Sequence, residues 1–317
     1  MKTTHRSIAS LTLLALTVAL VATPSALAVD EGWTVSFSEA KAEAAKTGKS
    51  ILMEFTGSDW CPPCIKLHKT VLVTDVFKTE APKHFILLKL DSPRDKSKQS
   101  MDEISQYRKL SAQYKITGVP TVILADEQGR PYHRQSGYGG DPAEKWIGDL
   151  AAKSTILAER NEFLSKADQA DGVERAKLLD QAISLIDSEL AIGTYKDMIA
   201  EIITLDADGA AGLKPKYEGA VQTAEIKSEL QKIQQTLRNS TPEEVLVKIN
   251  ALLEEKKPTG EGLQQALYLK SMITYRTDKD AAKVILLEAR AAAPTSKMAT
   301  GQIDRVLQQV FKVEPKK

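Results

Sequence analysis

The residues of this chain best suited to chemistry are Cys61 and Cys64, the only two cysteines among 317 residues. Two cysteines separated by two residues fit dithiol and disulfide exchange. The apolar run at residues 50–55 predicts a short buried strand, and the spacing of apolar residues after Cys64 predicts a helix. Cys61 would then lie at the helix N-terminus, where the helix dipole favours a thiolate. Cys61 is therefore the predicted nucleophile, and Cys64, one turn later, is the predicted resolving thiol.

A purely structural disulfide is the alternative interpretation of this pair. Small secreted domains often use disulfides to stabilise their folds. A bridge between Cys61 and Cys64 would close a very short loop, and the stabilisation from a disulfide grows with loop length. Pro62 and Pro63 already restrict this loop, and both suit the first turn of a helix. An exchange-active pair is therefore favoured.

A second motif, Gly118-Val119-Pro120-Thr121, precedes an apolar run at residues 122–124. With the Cys-Pro-Pro-Cys segment, in this order and spacing, the chain resembles the thioredoxin-like family over roughly residues 33–150. In that family a cis-proline lies against the cysteine pair, and the backbone of the preceding residue pairs with a substrate peptide. The resemblance implies a cis bond at Pro120, an uncommon geometry, and substrate binding by Val119 and Pro120.

The same family carries a buried acid on the strand that leads to the cysteines, where it assists proton transfer. Glu54 matches this acid if one extra residue is allowed in the loop at residues 56–59. Asp59 is nearer to the cysteines in sequence, but we expect it in an exposed loop. Glu54 is therefore the third predicted catalytic residue. The Pro-Pro dipeptide between the cysteines does not indicate whether the pair reduces or oxidises its substrates.

Two aromatic residues are further candidates for substrate binding. The ring of Trp60 would shield the reactive sulfur, although core packing is the alternative for this side chain. Tyr138 lies in a glycine-rich segment at residues 136–140. The equivalent loop of the family borders the active-site groove, so Tyr138 would contact substrate; a plain surface loop is the alternative.

No metal site and no dissociable cofactor are expected. Cys61, Cys64 and His68 would supply three zinc ligands, whereas a structural zinc site needs four. The other histidines of the predicted fold lie elsewhere. His68 is therefore interpreted as a partly exposed helix residue.

The first 28 residues have the pattern of an export signal. Basic residues precede an apolar run at residues 11–21, and Ala26-Leu27-Ala28 matches a small-x-small cleavage site. The apolar run is short for a membrane span. We therefore expect a cleaved signal peptide, a periplasmic location and no stable membrane insertion after cleavage; a retained anchor is the less favoured alternative.

Composition and length set the domain organisation. Lys and Arg together number 43 and Asp and Glu together number 42, so the net charge is close to zero and does not suggest binding to nucleic acid. The length suggests two domains. We predict a thioredoxin-like α/β domain at residues 29–153, a connecting helix at 154–171 and an all-α domain at 172–317. Residues 265–294 weakly resemble a tetratricopeptide-type helical repeat, and a nonrepetitive bundle is the alternative.

The predicted function is that of an exported thiol–disulfide oxidoreductase. Its partners would be protein or peptide thiols and disulfides, together with a redox partner that recycles the cysteine pair. The alternative is a helical scaffold that binds proteins or acts as a chaperone, with a thioredoxin-like module of minor redox role.

Overall fold

The structure, a computed structural model, describes residues 32–237 and 239–313. The predicted signal peptide, residues 1–28, lies outside the described residues. Within them the sheet consists of β1 (Trp33–Thr34), β2 (Ser50–Thr56), β3 (Phe85–Asp91), β4 (Thr121–Ala125) and β5 (Pro131–Ser136). The strand order is β1-β3-β2-β4-β5. β1, β3 and β2 run parallel, β4 is antiparallel to β2, and β5 is antiparallel to β4.

Five helices cover the two faces of this sheet. They are α1 (Phe37–Thr47), α2 (Pro62–Leu67), α3 (Asp75–His84), α4 (Met101–Gln113) and α5 (Ala143–Ala152). Apolar residues of α1 and α4 pack on one face, and those of α2, α3 and α5 pack on the other. The central strand β2 is therefore buried along its whole length. The sequence-predicted α/β fold of the thioredoxin type is confirmed.

Three details concern the helices of this half. Helix α3 was not predicted; it begins where the Thr74 side chain accepts the backbone N–H of Phe77. Pro142 occupies the N-cap position of α5 and makes no side-chain cap bond. Helix α5 ends at Ala152 and a new helix starts at residue 154, with Lys153 between them.

The remainder of the described chain is helical, as predicted. Its helices are α6 (Ser154–Ala167), α7 (Gly172–Ser184), α8 (Ser188–Thr194), α9 (Lys196–Leu205), α10 (Leu213–Thr236), α11 (Pro242–Lys256), α12 (Gly260–Thr274), α13 (Lys279–Ala292) and α14 (Asp304–Gln309). A π-helical segment, Met298–Ile303, precedes α14. Helices α12 and α13 pack against each other along their length. The resemblance of residues 265–294 to a tetratricopeptide-type repeat stays a prediction.

One hydrophobic core extends from the sheet into the helical half. Sheet residues such as Met53 and Ile123 belong to the same cluster as Leu179 on α7 and Ile199 on α9. This cluster continues to Tyr217 in the first half of α10. The second half of α10 instead packs with α11 and α12 in a separate cluster. The proposed domain limits at residues 153 and 171 stay a prediction, and the apolar core is continuous across them.

A buried polar cluster also joins the sheet to the helical half. Arg160 on α6 and Asp126 after β4 have side chains only 1% exposed, and Arg160 Nη2 lies 2.7 Å from Asp126 Oδ2. Arg160 Nη1 also donates to the Tyr195 hydroxyl at 2.7 Å, and that hydroxyl donates to the Pro131 carbonyl at 2.8 Å. Such a charge is tolerated in a core only when it is paired and fully hydrogen-bonded. This cluster lies at the end of β4 opposite the cysteines, because β4 begins beside Pro120 and ends at Ala125.

In the part of the chain that the structure describes, no helix combines the length and the apolar character needed to cross a membrane.

Candidate active site

The two cysteines lie where strand β2 passes into helix α2. Cys61 is the N-cap residue of α2, and its Sγ accepts the backbone N–H of Cys64 at 3.3 Å. Pro62 and Pro63 form the first helical turn, as the sequence predicts. Cys61 and Cys64 are disulfide-bonded, with their Cα atoms 5.2 Å apart. When the bond is reduced, the same N–H group and the helix dipole would stabilise a thiolate on Cys61.

The loop that contains Val119 and Pro120 lies directly against the cysteine pair. The Val119–Pro120 peptide bond is cis. The carbonyl oxygen of Val119 is 3.4 Å from Cys61 Sγ, which places this backbone at the sulfur. Pro120 is buried, and its carbonyl accepts the N–H of Gly137 at 2.8 Å. The structure thus brings together the two motifs, which are separated by more than fifty residues in sequence.

Trp60 directly precedes Cys61 in sequence and remains 39% exposed. Its indole N–H donates to the Ser92 carbonyl at 2.8 Å, and the Arg94 guanidinium lies over its ring at 6.0 Å. Gly57 makes this placement feasible, because a Cβ atom there would lie 2.5 Å from the indole. Sequence reasoning missed the contribution of the loop after β3, since nothing in residues 92–94 indicates a contact with Trp60.

Tyr138 is at the site, but its hydroxyl has an internal role. It donates to the Asp141 carbonyl at 2.6 Å and lies 2.9 Å from Thr70 Oγ1. The Lys66 ammonium lies 5.9 Å from the centre of its ring. Tyr138 therefore holds the loop after β5 against the active-site helix, and only the rest of its ring would be available to a substrate.

Glu54 is buried on β2, with 2% of its surface exposed. In the sheet it lies opposite Lys89 on β3 and Val122 on β4. Glu54 and Cys64 border the same cavity, of about 300 Å³. The residues that line this cavity are Glu54, Thr56, Ser58, Cys64, Ile65, His68, Lys69 and Lys89.

Asp59, the alternative acid, forms hydrogen bonds with the loop after β3 instead. Its carboxylate accepts the backbone N–H groups of Arg94 at 2.9 Å and Asp95 at 3.3 Å. The hydrogen bond from Arg94 lowers the pKa of Asp59 below its ordinary value. Asp59 is therefore bonded to the loop after β3, and it is not among the residues that line the cavity shared by Glu54 and Cys64.

His68 is a residue whose surroundings sequence reasoning missed. It is half-buried and borders the cavity together with Glu54 and Cys64. A π-helical turn, His68–Leu72, replaces the regular helix from this residue onward. The four-residue spacing from Cys64 was visible in the sequence, but the cavity that both residues share was not. Among the described residues, no group of three or more His, Cys, Asp or Glu side chains is placed to hold a metal ion.

Comparison with known proteins identifies the fold family of this site. The family model described as a thioredoxin-like domain matches residues 37–150. This part of the chain is a thioredoxin-like domain. It contains the cysteine pair, Glu54, the cis Val119–Pro120 bond and Tyr138. The resemblance found in the sequence is confirmed.

Two relatives from Chlamydia pneumoniae are similar to this chain. The disulfide bond reductase DsbH is 35% identical over 99 residues, which are 31% of this chain and 59% of that protein. The thioredoxin-related protein DsbJ is 24% identical over 215 residues, which are 66% of this chain and 59% of that protein. The chain thus spans about three fifths of the length of each of these relatives.

Solved structures are also similar to part of this chain. A structure titled DsbH Oxidoreductase has 28% sequence identity and a TM-score of 0.37, and the match covers 43% of this chain and 93% of that one. A disulphide isomerase from Xylella fastidiosa Temecula1 has 25% identity and a TM-score of 0.29, with 37% of this chain and 86% of that chain covered.

Proposed function

We propose that this chain is an exported thiol–disulfide oxidoreductase that acts on protein or peptide disulfides. One observation carries the proposal: Cys61 caps helix α2, accepts the N–H of Cys64 and lies 3.4 Å from the Val119 carbonyl. The relative named as a disulfide bond reductase favours the reducing direction. Dissociable cofactors are not required, because both electrons reside on the two sulfur atoms.

The reaction consists of two exchange steps. In the reduced protein, the Cys61 thiolate attacks one sulfur of the substrate disulfide, which forms a mixed disulfide and releases the first substrate thiolate. Cys64 then loses its proton and attacks Cys61 Sγ, which closes the Cys61–Cys64 disulfide and releases the second substrate thiolate. The substrate gains two electrons, and the protein loses two electrons and the single thiol proton of Cys64, while the released substrate thiolates take up protons from solvent. Glu54, on the cavity beside Cys64, would accept the proton of the resolving thiol.

Substrate would dock along the Val119–Pro120 backbone, next to Trp60. An extended peptide there presents its sulfur to Cys61 and pairs its main chain with the loop, as a strand adds to a sheet edge. Tyr138 would shape the far side of the groove by holding the loop after β5. After each turnover a redox partner must reduce the Cys61–Cys64 bond again. The signal-like residues 1–28 support export to the periplasm, where this partner would also act.

Reduction of insulin by the mature protein tests this proposal. With dithiothreitol as the electron source, the wild-type protein should accelerate insulin precipitation well above the rate with dithiothreitol alone. The Cys61→Ser variant should return to that background rate, because it lacks the attacking sulfur. A wild-type rate equal to the background would contradict the proposal. An equilibrium titration against glutathione would then give the reduction potential of the pair and hence its preferred direction.

A second candidate role concerns the C-terminal helices. Several large apolar side chains are exposed there, including Val247 at 67% and Val284 at 56%. Val284 and Leu287 share one face of α13, which suits a surface that binds a protein segment. Replacing Val284 and Leu287 with glutamine should weaken binding of an unfolded client and leave insulin reduction unchanged. Equal client binding by this variant would remove the support for the scaffold role.

A further inference from the structure

The cavity beside Cys64 connects the buried part of the active site with a half-exposed histidine. Cys64 is only 1% exposed and Glu54 only 2%, so both side chains are almost entirely removed from bulk solvent. His68 borders the same cavity and is half-buried. With a volume of about 300 Å³, the cavity has room for several water molecules, each of which occupies about 30 Å³ in the liquid.

Helix geometry places His68 next to Cys64. The two residues are four apart, so their side chains are neighbours on one helix face. The backbone N–H of His68 donates to the carbonyls of Cys64 and Ile65, and the π-helical turn begins at the same residue. Single π-turns within helices occur often at functional sites. His68 therefore has a fixed backbone position one turn away from the resolving thiol.

His68 is the only imidazole among the residues that line the cavity. Thr56 and Ser58 can pass a proton along but cannot store one. Imidazole is the side chain that both takes up and releases a proton between pH 5 and 8. Besides Cys64 and His68, the ionisable residues that line the cavity are Glu54 on β2, Lys89 on β3 and Lys69 beside His68.

We propose that His68 is the outer member of a proton relay that serves the resolving step. The inference rests on the proposed function. When Cys64 attacks the mixed disulfide, its thiol proton passes to Glu54 and then, through water in the cavity, to His68. His68 releases this proton to solvent, and the departing substrate thiolate takes up a proton from solvent. The Cys64–Cys61 bond forms as the bond between Cys61 and the substrate breaks, so charge and electrons balance.

Single-turnover oxidation by glutathione disulfide separates the two steps. The reduced full-length mature protein is mixed with excess glutathione disulfide, quenched with acid at set times and analysed by mass spectrometry. The amount of Cys61–glutathione adduct first rises and then falls with time. The rise gives the rate of adduct formation, and the fall gives the rate of its resolution by Cys64. Both rates are measured from pH 5.5 to pH 8.5 for the wild type, for His68→Gln and for His84→Gln. His84 is an exposed histidine at the end of α3, so the last variant is a matched control.

The relay predicts an effect on resolution alone. At pH 7, His68→Gln should resolve the adduct about tenfold more slowly. This is less than the rate factor of about 10²–10⁴ that general acid–base catalysis usually contributes, because water can partly replace His68 as a proton carrier. Adduct formation should stay within about twofold, and added imidazole should restore the resolution rate. The His84→Gln variant should match the wild type in both steps.

Other outcomes overturn the relay. Resolution by His68→Gln within about twofold of the wild type, with an unchanged pH profile, would show that His68 takes no part. An equal slowing of formation and resolution, without rescue by imidazole, would indicate structural damage and also overturn it. A wild-type protein that forms no adduct and reduces no insulin would remove the proposed function and the relay together, whereas the first two outcomes leave the proposed function intact.

Discussion

Replacing Asp126 by asparagine should destabilise the protein more than replacing its partner Arg160 by methionine. The two side chains form the buried pair that joins the sheet to α6, each 1% exposed and 2.7 Å apart. Removing one partner of a buried pair leaves the other charge uncompensated, at a cost of about 3–5 kcal/mol. The unequal surroundings of the two groups decide which substitution has the larger effect.

Asp126 keeps several partners when Arg160 is lost. Its Oδ1 accepts the backbone N–H groups of Gln128 and Arg130, and its Oδ2 accepts Arg130 Nε at 2.8 Å. Arg160→Met should therefore leave no buried charge unpaired, and we expect it to lower the free energy of unfolding by about 1–3 kcal/mol. In Asp126→Asn, Arg160 keeps only the neutral acceptors Tyr195 and Asn161, so a loss of about 3–5 kcal/mol is expected.

Denaturant unfolding of the mature protein measures this difference. Far-UV circular dichroism and tryptophan fluorescence should give coincident transitions, because the hydrophobic core is continuous between the sheet and α6–α9. The double variant should lose less than the sum of the single losses, with a coupling of about 1–3 kcal/mol. Glu162→Gln, at an exposed carboxylate on the same helix, is the matched control and should leave the midpoint unchanged. A loss below about 1 kcal/mol in Asp126→Asn, or the reverse order of the two variants, would refute the reasoning.

Three further predictions follow from the site and its supports. Cys64→Ser should accumulate mixed disulfides with substrate proteins on nonreducing gels, whereas Cys61→Ser should not; equal trapping would reverse the assigned roles. Burial, and secondarily the charge of Lys153, lowers the pKa of His133 to about 4. The free energy of unfolding should therefore decline as the pH falls from about 6.5 to about 4. Urea unfolding at several pH values should show that His133→Gln lacks this decline. A hydrogen bond from the Lys214 backbone lowers the pKa of Asp206. At pH 7 the thermal midpoint of Asp206→Asn should therefore lie below the wild-type value, and this difference should shrink once the pH falls below about 3.9. A constant difference at all pH values would contradict this prediction.

The parts of the site that sequence predicted are those encoded by short contiguous motifs. Proline suits the first turn of a helix in any protein, so Pro62 and Pro63 were enough to predict that Cys61 lies at a helix N-terminus. Val119 and Pro120 were found because their motif and the apolar strand after it resemble those of the thioredoxin-like family. These local signals also made the α/β order of the first half predictable.

The parts that sequence missed depend on contacts between distant segments. Trp60 contacts Ser92 and Arg94, whose side chains and spacing carry no signal of their own. The importance of His68 depends on a cavity that exists only when β2, β3 and α2 are assembled. The helix α3 was missed because Pro82, which suggests a break, is accommodated in its last turn.

Helix α10 has a consequence for how the distal helices are oriented. Its 24 residues span about 36 Å. Tyr217 lies in the core shared with the sheet, whereas Ile226 and Leu230 lie in the separate core formed with α11 and α12, here called the distal core. Each residue of a helix adds about 1.5 Å and a rotation of about 100°. Inserting or deleting one residue between the two cores would therefore swing the distal helices around the axis of α10 to a different side of the molecule. The direction in which α11–α14 face the active site is thus set by a residue count, and each single insertion or deletion changes it by about 100°.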